Sequence, residues 1–399
     1  MNFFARRLAK IQKPSTLPVD NILTEENIYN TIFLNCGEPD FDTPGNIKQA
    51  AHIAIKNGKT KYTAVDGVYE LKKAVCKKFK QDNDLTYCPD QVMVSSGAKQ
   101  VIYNAMMATL NPGDEVIILA PYWISYPDII RLAGGEPVII NCLEQNNFKV
   151  NPQDIEKSIT SKTKWIFLNS PNNPTGAIYS YQELKEIASI LLKYKNIYIL
   201  SDDIYEYIKF GEHRFFTLPQ VEFGLYDRTL LVNGVSKSYS MTGWRIGYAA
   251  GNKALIDNMI LIQSHSTSNP STISQYAALE AITGDQSYPR YATEQFIQRC
   301  KLVVQMLNDI PGLRCRFPEG GYYVYPYCGN FLGKRSCNGK LIKDDRDFVE
   351  YLSKDYKVEL VSGNNFGMSP YFRLSFVTTL TILIEACQRI RAACAALAE

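Results

Sequence analysis

A chain of 399 residues, 46% hydrophobic and 21% charged, is long enough for two or three domains and apolar enough to fill their cores. Its 43 basic and 40 acidic residues leave a formal charge of +3, so no global field draws it to nucleic acid or to a membrane, and any anion it binds must be held by a local site. The ten cysteines, at 36, 76, 88, 142, 300, 315, 328, 337, 387 and 394, form no CxxC pair or other metal-ligand spacing and read as reduced thiols of a cytoplasmic protein.

The opening stretch "MNFFARRLAKIQKPS" places Arg6 and Arg7 where a secretory signal needs an unbroken apolar core, and no later run reaches membrane-spanning length. The lack of acidic residues before Asp20 gives a weak organelle-transit reading. The expectation is instead an N-terminal arm over residues 1–44 that joins a smaller C-terminal domain. "NGKTKY" suggests a phosphate loop but lacks its first glycine, since Ile53 stands where GxxxxGK[ST] requires it. Three histidines, His52, His213 and His265, without an HExxH pair, argue against a metal centre.

From about residue 90 to 250 short apolar runs alternate with amphipathic segments of helical period: "QVMVSS", "EVIILA", "PVIIN", "KWIFLNS", "IYILSDD", "TLLVNG" and "WRIGYAA". Turn chemistry separates them, as in "NPGDE", "GGEP" and "PNNPTG". The pattern predicts an α/β domain over 45–288, a mostly parallel sheet of the seven-stranded type flanked by helices. Residues 289–399 begin with a long helical stretch, pass through "RFPEGGYYVYPY" and "YFRLSF" as strand-like segments, and end in the helix former "LIEACQRIRAACAALAE". They predict a smaller α+β domain.

In open α/β sheets the ligand site lies beyond the carboxyl ends of the strands. The residues that follow the apolar runs are Gly97-Ala98-Lys99, Tyr122-Trp123, Asn169 to Gly176, Asp202, and Ser236-Lys237, which the fold would bring to one rim. Lys237 ends a strand and precedes a turn of small residues, where its stem would point into a cleft. A desolvated lysine forms Schiff bases with carbonyls, and an aldehyde cofactor such as pyridoxal phosphate would use it. Such a cofactor also needs an acid at its ring nitrogen, a phosphate cradle at a helix N-terminus with a cation nearby, and an aromatic to stack on. Asp202, "SSGAKQ" with Arg245, and Trp123 can meet these needs, while Tyr205 and Asn173 lie in range of the phenolic oxygen. Taken singly, each residue has a plain alternative: Asp202 or Asp203 could cap the following turn, and Trp123 could be a core or rim aromatic.

The motifs together resemble those of the class I pyridoxal-phosphate-dependent aminotransferases of fold type I, closest to the prokaryotic aspartate/prephenate subgroup, from Lys13 to the C-terminal helix. "GVSKSYSMTGWRIG" matches the lysine signature; "LNCGEPDFDTP", "KTKYTAVDGVYELKKAV", "PYWISYP", "NSPNNPTGAIYS", "SDDIYE" and "YFRLSF" match further blocks in order. The resemblance implies that Lys237 binds the cofactor covalently and then shuttles a proton. Asp202 would pair with the ring nitrogen, Tyr205 and Asn173 would hold the phenolic oxygen, and Trp123 would stack on the ring. Gly97, Ala98, Lys99, Ser236 and Arg245 would surround the phosphate. Tyr62 would reach it from the partner subunit of a homodimer. Arg373 would clamp the substrate α-carboxylate with a planar fork, and Gly37 would belong to the segment that closes over it.

For the substrate, Lys99 directly after the phosphate-loop residues resembles the subgroup's lysine for a second carboxylate, although it could also point to solvent. The expected reaction moves the amino group of an L-amino acid, aspartate, to 2-oxoglutarate by a ping-pong route. Aromatic or prephenate transamination and a carbon–sulfur lyase of the same fold are the alternatives. A transcription regulator would need an N-terminal DNA-binding domain and a basic face, whereas the fold is expected to begin within the first few dozen residues. Two departures bear on specificity: Pro18 to Leu34 is shorter than the usual helix there, and Cys36 stands where a small apolar residue is more usual.

Overall fold

Runs of Val, Ile and Leu set between turn residues give the strands. In chain order these are β1 (Ile32–Phe33), β2 (Val92–Ser95), β3 (Glu115–Ala120), β4 (Glu136–Asn141), β5 (Thr163–Asn169), β6 (Tyr198–Asp202), β7 (Thr229–Gly234), β8 (Gly247–Ala250), β9 (Tyr323–Val324), β10 (Val358–Glu359), β11 (Val361–Ser362) and β12 (Phe372–Ser375). They are seen in a computed structural model that describes residues 3–11 and 30–398. All seven segments read as strands between 90 and 250 join one sheet, in the order β2-β8-β7-β6-β5-β3-β4. The sheet is parallel except for β8, which runs antiparallel to both β2 and β7.

The central strands are apolar on both faces because helices cover both. On β7, Leu230 and Val232 meet Val101, Ile102 and Met106 of the helix Ala98–Thr109, while Leu231, pointing the opposite way, packs with Leu71, Val75 and Phe79 of the helix Tyr69–Asn83. Further along the sheet Ile117, Ile166 and Ile199 pack against Leu184, Ile187 and Leu191 of the helix Tyr181–Leu191. Because side chains alternate across a strand, continuous apolar runs are what a doubly covered sheet requires.

The later part of the chain builds a smaller layer, with β9, β12 and β11 as an antiparallel sheet against the helices Ser287–Asn308 and Leu380–Ala395. Phe296, Cys300, Val303, Leu383 and Ile390 form its core with Phe372 and Leu374. The segment β1 pairs in parallel with β10, so residues 32 and 33 lie against this C-terminal layer. Of "RFPEGGYYVYPY" only Tyr323 and Val324 are a strand, because Gly320 and Gly321 precede them and Pro326 follows, and a proline cannot donate to a ladder. Most of Pro18 to Leu34 lies outside the described residues.

Where β8 starts, Gly247 lies so close to the Gly97–Ala98 backbone that a Cβ there would overlap it. Gly247→Ala is therefore expected to destabilise by about 1–3 kcal/mol, as overpacking does, by pushing the start of the helix Ala98–Thr109 off the sheet. A urea unfolding midpoint unchanged from the parent would contradict this close approach.

Candidate active site

Strand ends and one strand start place the polar groups. Asn169 and Asp202 end the neighbouring strands β5 and β6 in register with each other, and β7 runs on through Gly234 to Ser236 and Lys237. Because β8 is reversed, its amino end reaches the same rim, and Arg245 stands just ahead of it in a left-handed conformation, φ 56°. These residues line a cavity of about 380 Å³ together with Cys36, Gly37, Glu38, Ala98, Lys99, Ile102, Trp123, Asn173, Ile204, Tyr205, Thr242, Tyr323 and Arg373. Gly97, φ 89°, lies just behind the wall, where a side chain would collide with the Arg245 guanidinium.

The Lys237 amine is partly buried and donates to the carbonyl oxygen of Gly37 at 2.8 Å, an oxygen that also accepts from the Tyr322 hydroxyl at 2.8 Å. Burial, with Arg373 and Arg245 close by, pushes the amine down to about 8, against the opposing pull of Cys36 and Glu38. A neutral amine is a nucleophile and a base, whereas an ammonium is neither.

Asp202 is buried. Desolvation raises its carboxyl to about 6, opposed by the Tyr126 hydroxyl, which donates to Oδ2 at 2.6 Å, and by the charge of Lys237. Tyr126 was not among the residues singled out from the sequence. It is 2% exposed, and its ring meets Trp123 edge-on at 5.4 Å and Phe167 at 5.1 Å, so one residue braces both the aromatic wall and the acid. Its place in "PYWISYP" gave no such signal, because an aromatic opening a helix is ordinarily core.

Arg373 is 3% exposed. One terminal nitrogen donates to Asn173 Oδ1 at 2.9 Å and the other to the Asn35 carbonyl at 2.6 Å, while the guanidinium lies 4.3 Å from the Tyr323 ring centre. Its Nε has no hydrogen-bond partner among the described residues. A buried guanidinium with an unused donor is poised for an acceptor such as a carboxylate. Tyr205 hydrogen-bonds Tyr323 through their hydroxyls at 3.2 Å. Lys99 stands at the mouth, exposed, with its amine 4.9 Å from the centre of the Trp123 ring. Twelve of the thirteen residues drawn from the sequence thus meet at or against this cavity. Tyr62, 90% exposed, does not line it.

Four cations, Lys99, Lys237, Arg245 and Arg373, face the cavity against the carboxyls of Glu38 and Asp202. The backbone N–H groups that open the helix Ala98–Thr109 add positive potential beside Arg245. Such a space takes a small polyanion and can present an amine base to it. The chain belongs to the aminotransferases of class I and II, whose family model matches residues 29–390, and it is an aminotransferase. An aspartate/prephenate aminotransferase of Cereibacter sphaeroides is 51% identical over the full length of both chains. Among solved structures, the aspartate aminotransferase of Rhizobium meliloti superposes with a TM-score of 0.94 at 47% identity, covering 99% of each chain. That of Thermus thermophilus with maleate gives 0.89 at 35% identity, covering 98% of this chain and 100% of the other.

The Lys237 pKa predicts a stability slope in the cofactor-free protein. A lysine held near 8 when folded and near 10.5 when unfolded makes the unfolded state bind more protons between those values, so stability rises with pH across that window. Compared with Lys237→Met, the parent should gain up to about 3 kcal/mol between pH 8 and 10.5. Parallel pH profiles for the two proteins would show that the amine is not desolvated.

Proposed function

We propose that the protein transfers the amino group of L-aspartate to 2-oxoglutarate with pyridoxal 5'-phosphate held on Lys237. The observation that carries this reading is the pairing, in one cavity, of a lysine amine near neutrality with a buried arginine that keeps a free donor. The residues fit the cofactor: an amine for its aldehyde, the buried Asp202 for its ring nitrogen, Trp123 for its face, and Tyr205 and Asn173 for its phenolic oxygen. Gly97, Ala98, Lys99, Ser236 and Arg245 fit its phosphate. When bound, pyridoxal phosphate supplies an aldehyde and a protonated ring that takes up the electrons of the substrate's Cα–H bond. Lys237 would act as the base for the substrate's α-proton and as the acid that gives it back, a task that needs an amine with a pKa near neutrality. Asp202, raised to about 6 by desolvation but supported as a carboxylate by the Tyr126 hydroxyl, would hold the ring proton. Arg373, held by Asn173 and stacked over Tyr323, receives the α-carboxylate, and Gly37 and its neighbours lie over the bound substrate.

Lys99, beside Trp123, is proposed to receive the second carboxylate. Prephenate, named with aspartate for the Cereibacter relative, is also a dicarboxylate with a 2-oxo acid arm and suits the same two cations. The working unit is proposed to be a cytoplasmic homodimer in which Tyr62, exposed in the single chain, reaches the partner's phosphate site. In domain terms the proposed division is an arm over 1–44, a cofactor-binding domain over 45–288 and a small domain over 289–399.

The test is a single-turnover scan in which the yellow enzyme is mixed with each amino acid in the absence of any oxo acid and the loss of its visible band is followed. Aspartate and glutamate should bleach the band fastest; faster bleaching by aromatic or apolar amino acids would redirect the specificity and leave Lys99 without its role. Lys99→Ala should slow aspartate far more than alanine or phenylalanine. Removing one partner of a desolvated charge pair, Arg373→Ala should cost about 2–5 kcal/mol in kcat/KM for aspartate, and an unchanged value would exclude the clamp.

A further inference from the structure

Behind the turn that carries Asp202 and Tyr205 lies a second cluster of charge with no part in the chemistry above. Residues 202 to 206 form a tight turn in which Glu206 N–H donates to the Asp203 carbonyl at 3.0 Å. Asp202, Ile204 and Tyr205 line the cavity, whereas Asp203 and Glu206 do not. Glu206 is 3% exposed, and its carboxylate pairs with Lys78, whose side chain is 4% exposed. The same oxygen, Oε1, accepts from Asn233 Nδ2 at 2.8 Å. Asn233 lies on β7, four residues before Lys237, and its own Oδ1 accepts from Gly234 N–H at 2.7 Å. Lys78 is held in turn by Asn83 Oδ1 at 3.0 Å, by Asp82 at 3.7 Å, and against the rings of Phe79 and Tyr207.

One carboxylate therefore ties three separate pieces: the turn with the acid and the phenol, the strand that leads to the lysine, and the helix Tyr69–Asn83. A buried ion pair is weak evidence for stability, since its desolvation offsets most of its attraction, and its best-attested use is to fix a register. Here the register that matters is the separation between the Asp202–Tyr205 turn and the end of β7. We propose that Glu206, with Lys78 as its counter-ion, is a positioning residue for transamination: through Asn233 it sets where Lys237 stands relative to Asp202 and Tyr205. This rests on the cofactor reading of the preceding section.

Two double variants separate positioning from simple stability. Lys78→Met with Glu206→Gln removes both charges and keeps an oxygen for Asn233; Lys78→Met with Glu206→Leu removes the charges and the oxygen. Both are compared with the parent as holoenzymes at equal cofactor content, by kinetics with aspartate and by the visible circular dichroism of the bound cofactor, which reports its orientation. The leucine pair should lose about tenfold to a hundredfold in kcat, the range that small misplacements of reacting groups cost, with KM nearly unchanged and a weakened visible dichroic band. The glutamine pair should stay close to the parent in both. If the leucine pair does not fold, Asn233→Ala breaks the same bond from the strand side and must give the same loss in kcat with KM kept. Parent-like kcat and dichroism in the leucine pair or in Asn233→Ala, or equal losses in both double variants, would overturn the proposal. A parent whose visible band is the same as that of Lys237→Ala would overturn the cofactor reading beneath it.

Discussion

A lysine amine that meets a backbone carbonyl instead of a carboxylate is the interaction around which the rim is organised. An ion pair would hold Lys237 charged and inert. The Gly37 carbonyl satisfies one of its hydrogens without supplying a counter-charge, while Arg373 and Arg245 nearby disfavour the proton further. The same excess of positive charge draws anions to the cavity. Family membership and site electrostatics are therefore consistent with each other in a protein of almost no net charge, whose positive potential is concentrated at one cavity.

Much of this was legible in the sequence because two strong signals coincide. Runs such as "TLLVNG" are buried at every position and put Leu230, Leu231 and Val232 on alternating faces, which only a doubly covered strand needs, and the polar residues directly after them fall at the carboxyl end of the sheet. Lys237, Asp202, Trp123 and Asn173 were reachable for that reason, and Arg373 and Gly37 through the resemblance of their motifs. What stayed hidden has no linear signature. Tyr126 reads as one more core aromatic until its hydroxyl is seen on Asp202, and Lys78 lies in the lysine-rich run "KKFK", which reads as a solvated helix face. The brevity of β9, β10 and β11 was hidden too, because a two-residue strand has no period to detect. Tyr62 is the reverse case: the resemblance assigns it a role that a single chain leaves in solvent.

The two faces of the 202–206 turn divide the work between chemistry and support. Tyr126 acts on the front through the acid itself; Asn233 and Lys78 act on the back through Glu206. Neither face alone fixes the carboxyl of Asp202, since the front bond constrains its direction and the rear link constrains the backbone that bears it. Arg373 is handled differently, by stacking and by hydrogen bonds to Asn173 and the Asn35 carbonyl, which use two of its five N–H donors and leave Nε without a partner among the described residues.

The bond from Arg373 to the Asn35 carbonyl joins residues 338 apart in sequence, and that from Arg373 to Asn173 spans 200. Closing loops of such length costs entropy, although that cost grows only slowly with length, and the finished fold must repay it. Arg373 is thus a tie-point on which the segment before Cys36, the turn after β5 and the small antiparallel sheet converge, so a disturbance in any one of them is felt at the same guanidinium.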